Sequence, residues 1–298
     1  METIAARHAV PVDRGRTMAE FTSIGVGGPV DFVLRPSSVD ALAGIIPALR
    51  AAGFRPRVIG GGANLIAGEG PFREPVILTR GIKHGPIIEG HRARAGCGLS
   101  VKKLVTQCVE KGLTGLEFAE GIPGTVGGTV FMNAGSYGGQ MADVVREVLL
   151  VDAAGHLVTR KVGPTDFSYR RSPFTSAETI VEAVFDLAPG DPQTMRETLR
   201  SIASRRLASQ PPGERSAGCV FKNPKGDSAG RIVDAAGLKG LAVGGASVST
   251  VHGNFIVNRG DATSTDVLEL IAQVKSRVAA ATGVALEEEV ILWTGDPS

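Results

Sequence analysis

The chain has 298 residues, 43% apolar and 21% charged, the balance of a soluble globular protein long enough for about two domains. A net charge of +2 and only 5% aromatic residues exclude the basic face and stacking platforms of a nucleic-acid binder, and no apolar run of about 18 residues exists to span a membrane. Glycine is the outlier: 40 of 298 residues is roughly twice the usual ~7%, without the period of collagen.

In chain order, Val30 to Pro36 reads as a strand, with Ser37 and Asp40 opening a helix that runs to Ala52 and stops at Gly53. Two short strands follow, Arg57 to Gly61 and Val76 to Thr79. Ser100 caps a second helix whose Val101, Leu104, Val105, Cys108 and Val109 share one face, so Cys108 reads as core. After the glycine-rich stretch GIPGTVGGTVFMNAGSYGG, VVREVLLVDAAGHLVTRKV reads as a hairpin turning at Asp152 to Gly155, and TIVEAVFDL as a further strand. Ala188 to Gly190 reads as a turn. Asp191-Pro192 is a helix start, and the domain boundary is placed there. SQPPGERSAGCVFKNP is loop entering a strand, FIVN is a strand, Thr263 to Thr282 is an amphipathic helix, and ALEEEVILWTG is a last strand.

The common catalytic signatures are missing. There is no GxxxxGK[ST], no GxSxG and no GxGxxG after a strand, and the five histidines lack zinc spacing. Cys97, Cys108 and Cys219 form neither a disulfide framework nor a metal motif, which fits a reducing compartment. The N-terminal METIAARHAVPVDRGRTM lacks the apolar core of a signal peptide, so a cytoplasmic location is expected. Three glycine-rich sites remain: SIGVGGP, VIGGGANL and GIPGTVGG. Backbone N–H groups in such turns cradle phosphate oxygens, because glycine permits close approach. Two such loops from separate strands suit an extended dinucleotide. A later set, YRRS around Arg170, SAGCVFKNP around Cys219, and Glu289, supplies an arginine, a thiol and a carboxyl. Those groups suit a carboxylate-bearing substrate, but they are dispersed over some 120 positions and spacing alone does not bring them together.

The motifs IGVGGPVDFVLRP, VIGGGANL, GLEFAEGIPGTVGGTVFMNAGSYGG, YRRSPF, SAGCVFKNP, AGLKG, VHGNFIVN and ALEEEV occur in the order of the UDP-N-acetylenolpyruvoylglucosamine reductase family, which the chain resembles from about Phe21 to Gly295. The resemblance implies an α+β chain. Residues 1–190 would form an FAD-binding domain of the vanillyl-alcohol-oxidase type, with α/β subdomains of about 1–82 and 83–190, and residues 191–298 would bind substrate. It implies non-covalent FAD held by Gly60, Gly61, Gly62, Ala63, Asn64, Leu65, Gly121, Ile122, Pro123, Gly124, Gly127, Gly128, Asn133, Ala134 and Gly135. It implies NADPH as co-substrate, a UDP-sugar enolpyruvyl ether as substrate, and reduction to UDP-N-acetylmuramate for peptidoglycan in a cytoplasmic monomer.

On the same resemblance, Arg170, Cys219 and Glu289 are catalytic: Arg170 binds the substrate carboxylate and stabilises developing charge, Cys219 supplies a proton, and Glu289 either shares the work of Arg170 when protonated or orients groups through hydrogen bonds. Tyr137, Arg206, Lys222 and Asn223 are substrate contacts. The chain departs from the family where Cys219 stands at a common serine and Ala63 at another. It also lacks the tyrosine-bearing insertion of some members after Phe174, which makes it the loop-less type; Arg206 is the expected cover for the nucleotide. A thiol, with an ordinary pKa near ~8.5, releases its proton more readily than an alcohol. Two other readings are an oxidase of the same fold tethering its flavin through His84, His91 or Cys97, and a non-catalytic flavin-binding module.

Overall fold

The computed structural model describes residues 1–295, so the last three positions of the expected 191–298 domain lie outside the described residues. Contacts divide the chain into two units. The first comprises Met1–Arg14, Phe32–Gly61 and Glu74–Arg205, and the second Gly15–Asp31, Gly62–Arg73 and the chain from Arg206 onward. The boundary expected at residue 190 precedes the helix Pro192–Ser209, whose residues up to Arg205 go with the first unit.

The first unit holds a four-stranded sheet in the order Val12–Asp13, Val33–Leu34, Val76–Leu78, Arg57–Ile59. Val76–Leu78 runs parallel to both neighbours, which requires crossover connections. The helix Val39–Ala51 supplies one, burying Leu42, Ile45, Ile46 and Leu49. Its cap is Ser38, whose hydroxyl accepts the Ala41 N–H at 3.1 Å, one residue later than the expected Ser37. The expected strand at 30–36 is broken into Pro29–Val30 and Val33–Leu34.

A second sheet in this unit has five antiparallel strands in the order Leu157–Lys161, Val145–Val151, Thr179–Asp186, Arg92–Gly96, Ile87–Glu89. The hairpin turns where the sequence places it: Gly155 has φ +92° and its N–H donates to Asp152 O at 3.0 Å. Thr179–Asp186 runs down the middle, and only Asp186 escapes burial. Its buried Glu182 carboxylate pairs with the Arg94 guanidinium and is hydrogen-bonded to His84 Nε2, each at 2.8 Å. Helix Val101–Glu110 buries all five predicted residues, and the Ser100 hydroxyl caps it by accepting the Lys103 N–H at 3.3 Å. A short helix, Val126–Phe131, lies inside the glycine-rich stretch and packs on Thr179–Asp186. Ala188–Pro189, expected as a turn, pairs instead with Leu113–Thr114.

The second unit has a four-stranded antiparallel sheet in the order Arg215–Cys219, Phe255–Asn258, Ala246–Val248, Ala242–Val243. The helix Ser264–Thr282 covers it with Val267, Leu270, Ile271, Val274 and Val278, all buried as predicted. A capping box starts it: Thr263 Oγ1 accepts the Asp266 N–H at 3.1 Å and Asp266 Oδ2 accepts the Thr263 N–H at 2.9 Å. Gly283, at φ +73°, ends it. A helix Ala229–Ala235 has no counterpart in the sequence reading. The closing strand is shorter than expected, Ile291–Trp293, and runs parallel to Leu65–Ala67. No helix among the described residues is long and apolar enough to cross a membrane.

Candidate functional site

In the first unit the strand Arg57–Ile59 runs out into Gly60-Gly61. A Cβ on Gly60 would lie 2.4 Å from Thr125 Oγ1, and one on Gly61 would lie 2.6 Å from Gly124 Cα. Two glycine loops therefore touch backbone to backbone, and alanine fits at neither position. The second loop is fixed from behind, where Val101 N–H donates to Gly124 O at 3.2 Å and Val126 N–H to Leu99 O at 2.9 Å. Gly121 and Gly124 take φ of +71° and +118°, so Ile122-Pro123 sits between two turns open only to glycine. Gly127 donates to Cys97 O at 2.9 Å, and its Cβ would meet Cys97 Cβ at 2.8 Å, so this glycine seats the short helix against the sheet. Gly128 differs: nothing but Thr125 Oγ1, at 3.6 Å, comes within 4 Å of its Cβ direction. Thr125 Oγ1 itself is buried without a hydrogen-bond partner, a costly state that a ligand acceptor or donor relieves.

Beyond the helix, Asn133, Tyr137 and Arg170 have φ of +43°, +48° and +57°; with Ala9 they are the left-handed non-glycine residues among those described. Such conformations persist where the surroundings over-determine them, and they gather at functional sites. Asn133 is fully buried and its side chain holds the loop together. Its Nδ2 donates to Ser168 O at 2.9 Å and Gln140 Oε1 at 3.0 Å, and its Oδ1 accepts the Ala142 N–H at 2.9 Å. Ala134 N–H donates to Thr129 O at 2.8 Å. Arg170 lies in a tight turn closed by Ser168 and Arg171, which exchange backbone bonds of 3.0 Å. Its Nη2 donates to Gly135 O at 3.0 Å, so the predicted arginine is tied to the predicted flavin loop. Tyr137 is 39% exposed, and the Arg205 guanidinium lies over its ring at 4.4 Å.

In the second unit, Gly62 has φ +67° and its carbonyl accepts the Ser23 N–H at 2.9 Å. Asn64 Nδ2 donates to Glu289 O at 3.1 Å, and Asn64 O accepts the Ile291 N–H at 3.0 Å. Leu65 is buried at the start of its strand. Glu289 N–H donates to Val220 O at 2.7 Å, which sets Glu289 beside the residue following Cys219. The segment after Cys219 is held on its other side by buried Asn254, whose Oδ1 accepts the Phe221 N–H at 2.8 Å and whose Nδ2 donates to Phe221 O at 2.7 Å. Ala63, Asn64, Cys219 and Glu289 are thus brought to one neighbourhood; Ala63 O is the nearest atom, at 3.9 Å, to a Cβ built on Gly218. Lys222 is close by, its N–H on Glu287 O at 2.8 Å and its Nζ 3.4 Å from Glu287 Oε2. Asn223 Oδ1 accepts the Ala229 N–H at 3.0 Å at the start of a helix.

The three thiols divide by environment. Burial pushes Cys97 and Cys108 up to about 12, so both stay protonated and inert. Cys97 is fully buried, packed against Gly127. Cys219 alone is partly exposed. Sequence reasoning missed Thr125, Arg80, Arg205 and Asn254; only Thr125, inside GIPGTVGG, carried a readable signal.

The first-unit cradle fits a diphosphate-linked cofactor: bare backbone on two sides, an unpartnered buried hydroxyl, and an open face at Gly128. Residues 30–160 match the family model described as FAD binding domain. A variant of berberine bridge enzyme, a reticuline dehydrogenase, shares the fold over 64% of this chain and 43% of its own at TM-score 0.50 and 17% identity. Fold and cradle together define an FAD-dependent oxidoreductase with an α+β, vanillyl-alcohol-oxidase-type flavin fold.

Residues 210–293 match the model of the C-terminal domain of UDP-N-acetylenolpyruvoylglucosamine reductase. The protein of that name from Geobacter sulfurreducens is 42% identical over 281 residues, covering 94% of this chain and 93% of the relative. The crystal structure of UDP-N-acetylenolpyruvylglucosamine reductase (MurB) from Thermus caldophilus matches with TM-score 0.81 and 34% identity over 95% of this chain and 99% of its own. The chain belongs to the UDP-N-acetylenolpyruvoylglucosamine reductase family.

Proposed function

We propose that the protein reduces UDP-N-acetylglucosamine enolpyruvate to UDP-N-acetylmuramate with NADPH, in the cytoplasm and as a monomer, supplying the precursor of peptidoglycan and through it cell-wall growth, cell shape and division. The N-terminal part, to about residue 190, holds FAD, and the part after it handles the substrate. Gly60 to Leu65, Gly121 to Gly124, Gly127, Gly128 and Asn133 to Gly135 hold the cofactor, joined by Thr125. Bound there, FAD supplies the hydride chemistry that connects NADPH with C3 of the enolpyruvyl group.

The side chains do the rest. Arg170 binds the substrate carboxylate and stabilises the negative charge that develops on it, a role suited to a guanidinium whose fork is already fixed by Gly135 O. Cys219 gives its proton to C2, and Glu289 orients the donor and the enolpyruvyl group. Tyr137, Lys222 and Asn223 contact the sugar and diphosphate, with Arg206, or Arg205 on the Tyr137 ring, covering the nucleotide. The observation that carries this reading is the 2.7 Å bond from Glu289 N–H to Val220 O, which seats the carboxyl-bearing residue against the backbone next to the thiol-bearing one. NADPH oxidation that requires the enolpyruvyl substrate is the test. Oxidation at the same rate without that substrate, with oxygen as acceptor, assigns the protein to an oxidase instead.

A further inference from the structure

Gly60 and Gly61 have no side chains to fix their peptide planes, yet both carbonyls are held by one residue. Arg80 follows the strand Val76–Leu78 in the turn Thr79–Gly81. Its Nε–H donates to Gly60 O at 3.0 Å and its Nη2–H to Gly61 O at 2.7 Å. These donors lie on one edge of the planar guanidinium and form a rigid fork. In an extended chain successive carbonyls point to opposite sides. One fork reaches two in a row only because the backbone turns at Gly61, whose dihedrals set one peptide plane against the other.

In a trans peptide the N–H points opposite to the C=O. Arg80 therefore aims the N–H groups of Gly61 and Gly62 away from itself, side by side. No acceptor among the described residues takes either of them. Adjacent N–H groups facing one way form an anion-binding concavity. Without the fork, three successive glycines sample many orientations, and ordering them on ligand binding costs affinity. We propose that Arg80 is a positioning residue for the FAD diphosphate, a clamp on the Gly60 and Gly61 carbonyls that holds the next two N–H groups ready for phosphate oxygens. This rests on the FAD reading above.

The clamp depends on geometry rather than on charge alone, which makes it testable. FAD affinity is measured by flavin fluorescence on stripped and reconstituted protein for wild type, Arg80→Met and Arg80→Lys, together with the melting temperature of each FAD-free protein. The clamp predicts that both variants bind FAD some 10- to 100-fold more weakly, that lysine rescues little because a point charge lacks the fork, and that the FAD-free melting temperatures agree. The midpoint potential of the flavin that remains bound stays at the wild-type value, since the contact is with the diphosphate end. Arg80→Gln, which retains one donor group, is read in the same way if Arg80→Met does not fold. Wild-type affinity in Arg80→Met, full rescue by lysine, or an equal fall in FAD-free stability overturns the clamp. A wild-type protein that takes up no FAD overturns the functional reading itself, and the clamp with it.

Discussion

The glycine cradle of the first unit and the Cys219–Glu289 neighbourhood of the second are built in different ways. In the cradle, shape comes from missing atoms: a methyl on Gly61 would press to 2.6 Å on the Gly124 backbone. At the other site a Cβ on Gly218 would make only an ordinary contact, 3.9 Å to Ala63 O, and the proposed roles fall to the Cys219 thiol and the Glu289 carboxyl. The first region is thus sensitive to volume and the second to chemistry. A chain can lose either capacity while keeping the other.

The sharpest way to break that contrast is Cys219→Ala. Loss of a general acid typically costs about 10²–10⁴-fold in rate, so substrate turnover should fall by that factor while FAD binding and flavin reduction by NADPH persist in a stopped-flow experiment. Cys219→Ser, which restores an O–H donor, should recover a large part. If turnover by Cys219→Ala equals wild type, the proton-donor role is wrong. The converse variant is Gly61→Ala. Overpacking of this kind costs about 1–3 kcal/mol, and it should appear as lost FAD retention on gel filtration and a lowered melting temperature. A Gly61→Ala protein that purifies fully yellow and melts like wild type would show the loops to be looser than described.

The smallest effect concerns Lys275, which bonds Glu288 at 2.7 Å beside the catalytic candidate Glu289. Burial acts to raise the Glu288 carboxyl, but the hydrogen bond and charge of Lys275 outweigh it and hold the group below the usual carboxylate range. A depressed carboxylate stabilises the fold above its unfolded value, near pH ~4.3, and that contribution vanishes as pH falls through the lower folded value. Glu288→Gln should cost about 0.5–1 kcal/mol at neutral pH and nothing at pH well below the folded value. Equal destabilisation at both pH values, by urea titration, would remove the ion pair from the account.

Elements with strong period and unambiguous ends were readable from sequence: the helices Val101–Glu110 and Ser264–Thr282, and the hairpin of Val145–Val151 with Leu157–Lys161. The helix Val126–Phe131 was not, because its two glycines read as turns; it exists because Gly127 allows close packing on Cys97. Ala188–Pro189 looked like a turn for the same compositional reason, and only a partner far upstream, Leu113–Thr114, makes it a strand. At the site, the glycine loops and Arg170 were legible as motifs. The pinning of Gly60 and Gly61 by Arg80 and of Phe221 by Asn254 was not, since side chain to backbone contacts over such separations leave no local pattern.

The order in which chain is assigned to the units bears on how the protein is made. The first unit has every segment it needs once Arg205 has been synthesised. The second draws on Gly15–Asp31 and Gly62–Arg73, yet Leu65–Ala67 waits for Ile291–Trp293, the far end of the described chain, as its parallel partner. During translation at about 5–20 residues per second, those early stretches emerge on the order of ten seconds or more before the strand that completes them, so the parallel pair closes only at the end of synthesis.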